Sequence, residues 1–314
     1  MAELKNKVQN ALDEARILIL GTQVLIGFGY RVVFEEGFPD LPTASQHLLL
    51  VQLGLLLLTF ALLVTPGAYH RIVENGEDTP RFHRTVTRLL DPALLPLAAA
   101  LCIGLFVAGE KVLGRTGGLA LGLGGGAVSL FFLYGLEMVR RRQHMSNPGQ
   151  DEGKTKIEDK IRHVLTESRV ILPGAQALLG FQFATMLMRP FDELPRTSKL
   201  VHLASLAVVA LSVILLLAPA AYHRIVERGE ETERFHRFAS RMVLAATIPL
   251  ALGLAGDLYV VVLKVLGSVP VALVSAGVCL AVCYGLWFGF TLVRRARLHP
   301  PRASVSRGSR PAHA

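Results

Sequence analysis

Long apolar blocks separated by short polar stretches run along the chain, at 17–34, 48–65, 89–109, 117–139, 170–188, 200–221, 242–263 and 269–293. Each is about long enough to cross a hydrocarbon layer of roughly 30 Å as a helix. Leucine and alanine follow one another inside a block without apolar/polar alternation, which argues against strands. A lipid-embedded backbone must also satisfy its own polar groups, which leaves helices or closed barrels. The pattern predicts an all-α polytopic membrane protein with eight transmembrane helices. The block at 117–139 carries the most glycine and is the weakest helix former of the set.

The blocks fall into two sets of four. YHRIVENGEDTPRFHR at 69–84 returns as YHRIVERGEETERFHR at 222–237, with thirteen of sixteen positions identical. The same 153-residue offset aligns RILILGTQVLIGF at 16–28 with RVILPGAQALLGF at 169–181, and FPDLP at 38–42 with FDELP at 191–195. It also aligns Pro66 with Pro219, Pro96 with Pro249, and KVLG at 111–114 with KVLG at 264–267, all without a gap. This is a tandem duplication. Four spans per copy is an even number, so both copies insert the same way up. The expected arrangement is a parallel repeat about a pseudo-twofold axis along the membrane normal.

The first unit is expected at 1–142, a linker at 143–156, the second unit at 157–298 and a disordered basic tail at 299–314. Ahead of each first span lies an amphipathic piece, with Leu4, Val8, Ala11 and Leu12 matched by Ile157, Ile161, Val164 and Leu165. Each is expected to lie along the interface as a short helix.

Composition strengthens the membrane reading: 52% of the 314 residues are hydrophobic and 18% charged, with a mean hydropathy of +0.45. The net charge of +9 does not mark a nucleic-acid footprint. Its basic residues gather at alternate ends of the apolar blocks, as the positive-inside rule requires. A plasma-membrane protein with both termini cytoplasmic follows, its partners being the bilayer and candidate anionic lipid headgroups, with no nucleic acid. The polar first sixteen residues do not read as a cleavable signal peptide. Cys102, Cys279 and Cys283 lie within apolar blocks without metal-ligand spacing and read as small hydrophobes.

Both copies of the polar segment fall between second and third spans, on the cytoplasmic side. The cluster there comprises Arg16, His70, Arg71, Glu74, Arg81 and His83, with Arg169, His223, Arg224, Glu227, Arg234 and His236 in the second copy. Pro66 and Pro219 are expected to end or kink the preceding helix, with turns near Gly76 and Gly229. A structural clasp, in which carboxylates and arginines pair across the turn, explains the charge balance and the duplication. Its sharper competitors are an anion or lipid-headgroup site and a metal site of His and Glu. No fixed ligand spacing supports the metal, so no metal centre or cofactor is expected.

Inside the spans, Asp257 is the leading intramembrane carboxylate, and such groups are functional candidates by default. Its counterpart is Gly104, and a pairing with Lys264 or interfacial water is the competing expectation. Gln23 and Gln176 occur in both copies at mid-span and suit interhelical hydrogen bonds. His202 has no histidine in register, since His47 aligns only with a slip, and carries no assignment. Gly118, Gly122 and Gly126 form a GxxxGxxxG line in span four, and Gly285 and Gly289 a shorter one in span eight. Close packing within a unit, between units or between chains in an oligomer is the expected use.

The pattern R-x4-G-x-Q-x-L-x-G-F, F-x-x-L-P, P-x-A-Y-H-R-I-V-E-x-G-E-x-T-x-R-F-H-R, met at 16–84 and again at 169–237, resembles a family of uncharacterised bacterial membrane proteins. They are common in actinobacteria and usually one four-span unit long. The resemblance implies a membrane fold and no established activity, although some members carry a sodium:proton antiporter label. No nucleophile–base constellation suggests an enzyme. The expected role is a non-enzymatic structural, regulatory or envelope one. The alternatives are a secondary transporter using Asp257 and the duplicated glutamines, and an anion-, lipid-headgroup- or metal-binding membrane protein using the His/Glu/Arg clusters.

Overall fold

The computed structural model describes residues 18–77, 79–131, 157–225 and 232–298. Every regular element among the described residues is helical. Five helices are long and apolar enough to cross a membrane: α2 (Thr43–Ile72), α3 (Pro80–Leu130), α5 (Arg196–Ile225, apolar to Ala220), α6 (Glu233–Leu266) and α7 (Val269–Leu298). The shorter apolar α1 covers Leu18–Val32, and α4 covers Ile157–Met186. A single turn at Arg189–Asp192 links α4 to α5.

The duplication is visible in the corners. Gly114 interrupts α3 at φ 75°, and its repeat partner Gly267 ends α6 at φ 63°. Only glycine takes that left-handed conformation without a Cβ penalty. Beyond Gly114 the second limb of α3 folds back along the first. A Cβ on Gly118 would lie 2.8 Å from Phe106 O, and one on Gly122 2.8 Å from Phe106 Cβ. The glycine line of span four is thus taken up by its own unit. Gly285 and Gly289 meet no such neighbour; they belong to a wide π turn, Gly285–Phe290, that carries the fully buried Trp287.

Three local expectations are corrected. Of the two outcomes expected at Pro66 and Pro219, a helix end is ruled out, because α2 runs on to Ile72 and α5 to Ile225 with the prolines inside them. The amphipathic piece of the second copy and its span are one continuous helix, α4.

The third concerns how the repeats meet. α1 and α4 run parallel, with Gln23 lying against Gly174 and Gly27 against the Phe181 ring. Tyr30 donates from its hydroxyl to Leu254 O in α6 (2.6 Å), and Trp287 Nε1 donates to Ala61 O in α2 (2.9 Å). A twofold axis would repeat each contact with its halves exchanged. Instead Gly21 and Gly180 have nothing within 4 Å of a Cβ, and Gln176 is uncovered. Phe28 does meet its own repeat partner Phe181, at 4.6 Å between ring centroids, but the exchanged counterparts of the Gln23, Gly27 and Tyr30 contacts are missing, so at these positions the repeats pack head to tail.

Candidate functional site

At the corner between α2 and α3 the motif folds on itself. Asn75 (φ 51°) and Gly76 (φ 83°) form the turn, and Gly76 N–H reaches back to His70 O at 3.0 Å, closing the helix end on one of its free carbonyls. Thr79 caps α3 by accepting from Phe82 N–H at 3.0 Å. Tyr69 stacks on Phe82 at 6.4 Å between ring centroids, and His70 lies 4.4 Å from the same ring. The second copy repeats the geometry: Thr232 accepts from Phe235 N–H at 3.0 Å, and Tyr222 stacks on Phe235 at 6.3 Å.

The Thr, Phe and Tyr of the motif are therefore helix cap and core. His70, Glu74 and His236 are buried and Arg71 half-buried, while Arg81 and Arg234 face outward. Among the described members, the buried His70 and Glu74 and the outward-facing Arg81 thus differ in their surroundings. Among the described residues no group of three His, Cys, Asp or Glu is placed to hold a metal. Arg16 and Glu227, and the side chains of His83, Arg169, His223 and Arg224, lie outside the described residues.

The other candidate lies at the opposite end of the second unit. Asp257 is 2% exposed. It does not meet Lys264, contrary to the competing expectation. Lys264 instead approaches Pro190 O at 3.5 Å and the Phe34 ring at 5.2 Å. Asp257 Oδ2 accepts from Gln182 Nε2 at 2.5 Å, and its Oδ1 lies 3.1 Å from His202 Nδ1. His202 Nε2 lies 3.2 Å from Gln182 O. Three helices contribute one side chain each: α4, α5 and α6. From the positions in their helices, Gln182, His202 and Asp257 lie about 6, 9 and 14 Å from the respective helix ends, at 1.5 Å per residue.

Asp257 Oδ1 makes no aligned hydrogen bond, so its approach to His202 Nδ1 is an ion-pair contact whose protonation follows from the chemistry of the groups. A carbonyl can only accept, so His202 Nε2 carries the hydrogen it gives to Gln182 O. Nδ1 and Oδ1, facing each other, then need one proton between them: an imidazolium beside a carboxylate, or a neutral imidazole beside a carboxylic acid. Both forms are neutral overall. Losing that proton sets a lone pair against a carboxylate and leaves one uncompensated negative charge in an apolar bundle, a costly state. A cavity of about 10 Å³ adjoins the trio, lined by Tyr30, Gln182, Thr185, His202 and Asp257 among others, close to the room one water needs. Gln182 Oε1 has no hydrogen-bond partner.

A larger cleft of about 490 Å³ between α2, α6 and α7 is lined almost wholly by aliphatic side chains and presents no polar constellation. Gln23 is buried without a hydrogen-bond partner and Gln176 is uncovered, so the duplicated glutamines do not bond to each other.

Gln182 and His202 went unassigned from sequence, although a signal existed. At the 153-residue offset, Gln182, His202 and Asp257 stand opposite Gly29, Leu49 and Gly104. Three polar residues deep in apolar blocks replace glycine or leucine, all in one copy. In the first unit Gln52 lies where an Asp257 equivalent would go, its Nε2 2.6 Å from a Cβ placed on Gly104.

A family model described as "Family of unknown function (DUF6328)" matches residues 2–137 and again 150–291. No curated protein and no solved structure matches the chain.

Proposed function

We propose, for a chain that belongs to the DUF6328 family of unknown function, a non-enzymatic role as an integral membrane protein that takes up and releases one proton at Asp257–His202–Gln182. The single observation carrying this reading is the buried Asp257–His202 contact at 3.1 Å, which in an otherwise apolar bundle calls for one proton between the two groups. An ionisable pair at such depth costs stability and is kept where it is used. The duplicated corners belong to the scaffold in this reading, orienting the helices on the cytoplasmic face of the plasma membrane.

Loss of the proton charges the trio, so its state is linked to how tightly α4, α5 and α6 close around it. Difference infrared spectroscopy on lipid-reconstituted protein during a pH jump tests the claim. A protonated-carboxyl or imidazole band should appear in the parent chain and vanish in Asp257→Asn. An identical difference spectrum in the variant would refute the site.

The adjoining water-sized cavity favours a second reading, in which a small monovalent cation replaces the proton and exchange across the membrane follows. Proteoliposomes carrying an interior pH dye and an imposed sodium gradient distinguish it. Exchange is expected from the parent chain and not from Asp257→Asn, and no flux from the parent would leave proton binding alone.

A further inference from the structure

The head-to-tail junction inside the chain leaves one half of the same junction bare at each end. At the filled junction, Gln23 of α1 packs on Gly174 and Gly27 on Phe181, while Tyr30 and Phe34 are 5% and 2% exposed against the second unit. The repeat partners of these residues are Gln176, Gly180, Phe183 and Leu187. Gln176 and Gly180 are uncovered, and Phe183 and Leu187 are 54% and 90% exposed.

The receiving face shows the converse. Leu254, Leu258 and Val261 of α6 are buried beneath the first unit, whereas their partners Leu101, Leu105 and Ala108 on α3 are partly covered or exposed. Gly21, the partner of the Gly174 that receives Gln23, is open.

Bare leucines on a helix in lipid need no partner, but the whole face that the first unit buries against α4 is bare when it recurs on α4 itself. Gln176 lies ten residues from the end of α4, about 15 Å along its axis, at the register where Gln23 is buried by packing alone, without a hydrogen-bond partner. Gln23, at the same place in the first unit, is taken out of lipid by the glycine face of α4. Gly21 offers Gln176 the same glycine face on another copy.

We infer that two copies of this chain associate head to tail, α4 of each packing on α1 and α3 of the other, with Gln176 of one chain against Gly21 of the next. A heterologous contact either closes into a ring or runs on as a filament. Because α1 and α4 are parallel, the repeat operation turns about the membrane normal, and a ring of two chains is the smallest closed assembly that fills both bare faces.

Cysteine cross-linking in native membranes tests this, with the parent chain and its three native cysteines as blank. Gly21→Cys/Gln176→Cys should give an oxidised product of twice the chain mass, several-fold above the blank. Mixing the two single variants should give it as well. Gln176→Cys alone should stay at the blank level. Gln23→Cys/Gly174→Cys should close within one chain without doubling its mass, reporting that the fold is intact.

No doubled product while that internal control closes would overturn the inference. Self-coupling of Gln176→Cys alone would also overturn it, since that marks a twofold face. Failure of the internal control would remove the junction itself. In a lipid-preserving detergent the native mass should be twice that of the chain, and a monomer would refute the ring.

Discussion

Stripping the trio of Asp257 or His202 alone should cost the protein more than removing all three members. Asp257→Ala orphans two buried groups at once, His202 Nδ1 and Gln182 Nε2. Each unsatisfied group costs about 1–3 kcal/mol, and breaking a buried charged pair costs about 3–5 kcal/mol. Transmembrane polar pairs fall at the low end, because the unfolded chain finds other partners in the bilayer. An expected loss of about 3 kcal/mol for Asp257→Ala is reasonable on that basis. His202→Leu leaves the carboxylate alone and should cost about the same, and Gln182→Ala about 1 kcal/mol.

If independent, the three changes would sum to about 7 kcal/mol. The triple variant Gln182→Ala/His202→Leu/Asp257→Ala orphans nothing in the trio. It approaches the Gly29, Leu49 and Gly104 surroundings that the first repeat already uses, so its cost should be only the lost packing, about 2 kcal/mol. Reversible unfolding in mixed micelles of increasing sodium dodecyl sulfate fraction measures all four variants. A triple cost equal to the sum of the singles, within about 0.5 kcal/mol, would refute the claim that these side chains form one interdependent centre.

Other outcomes follow from the shared corners. Gly114→Val and Gly267→Val place a β-branched residue at φ 75° and 63°, and each should lose about 1–2 kcal/mol by the same unfolding assay, with asparagine at either site losing less. Thr79→Ala and Thr232→Ala remove equivalent helix caps and should each cost about 1 kcal/mol; serine should restore most of it.

The apolar blocks, the 153-residue repeat and the turn at Gly76 were legible in the sequence because they follow from local physics; Gly229 lies outside the described residues. Backbone in lipid must bond within its own segment, and a reversed φ favours glycine or asparagine. The corner motif was legible as a duplicated structural element for the same reason: its cap, its turn and its stacked rings lie within sixteen residues of one another. What joined Gln182, His202 and Asp257, and turned Asp257 away from Lys264, was the packing of three helices separated by long stretches of chain. Head-to-tail association, rather than twofold, was equally out of reach of the sequence. An intact repeat states that two units share a fold, whereas the choice of contacting faces depends on side chains such as Tyr30 and Phe183, which differ between the copies. Local order is written residue by residue, and the meeting of distant helices is decided only when all of them compete for the same buried space.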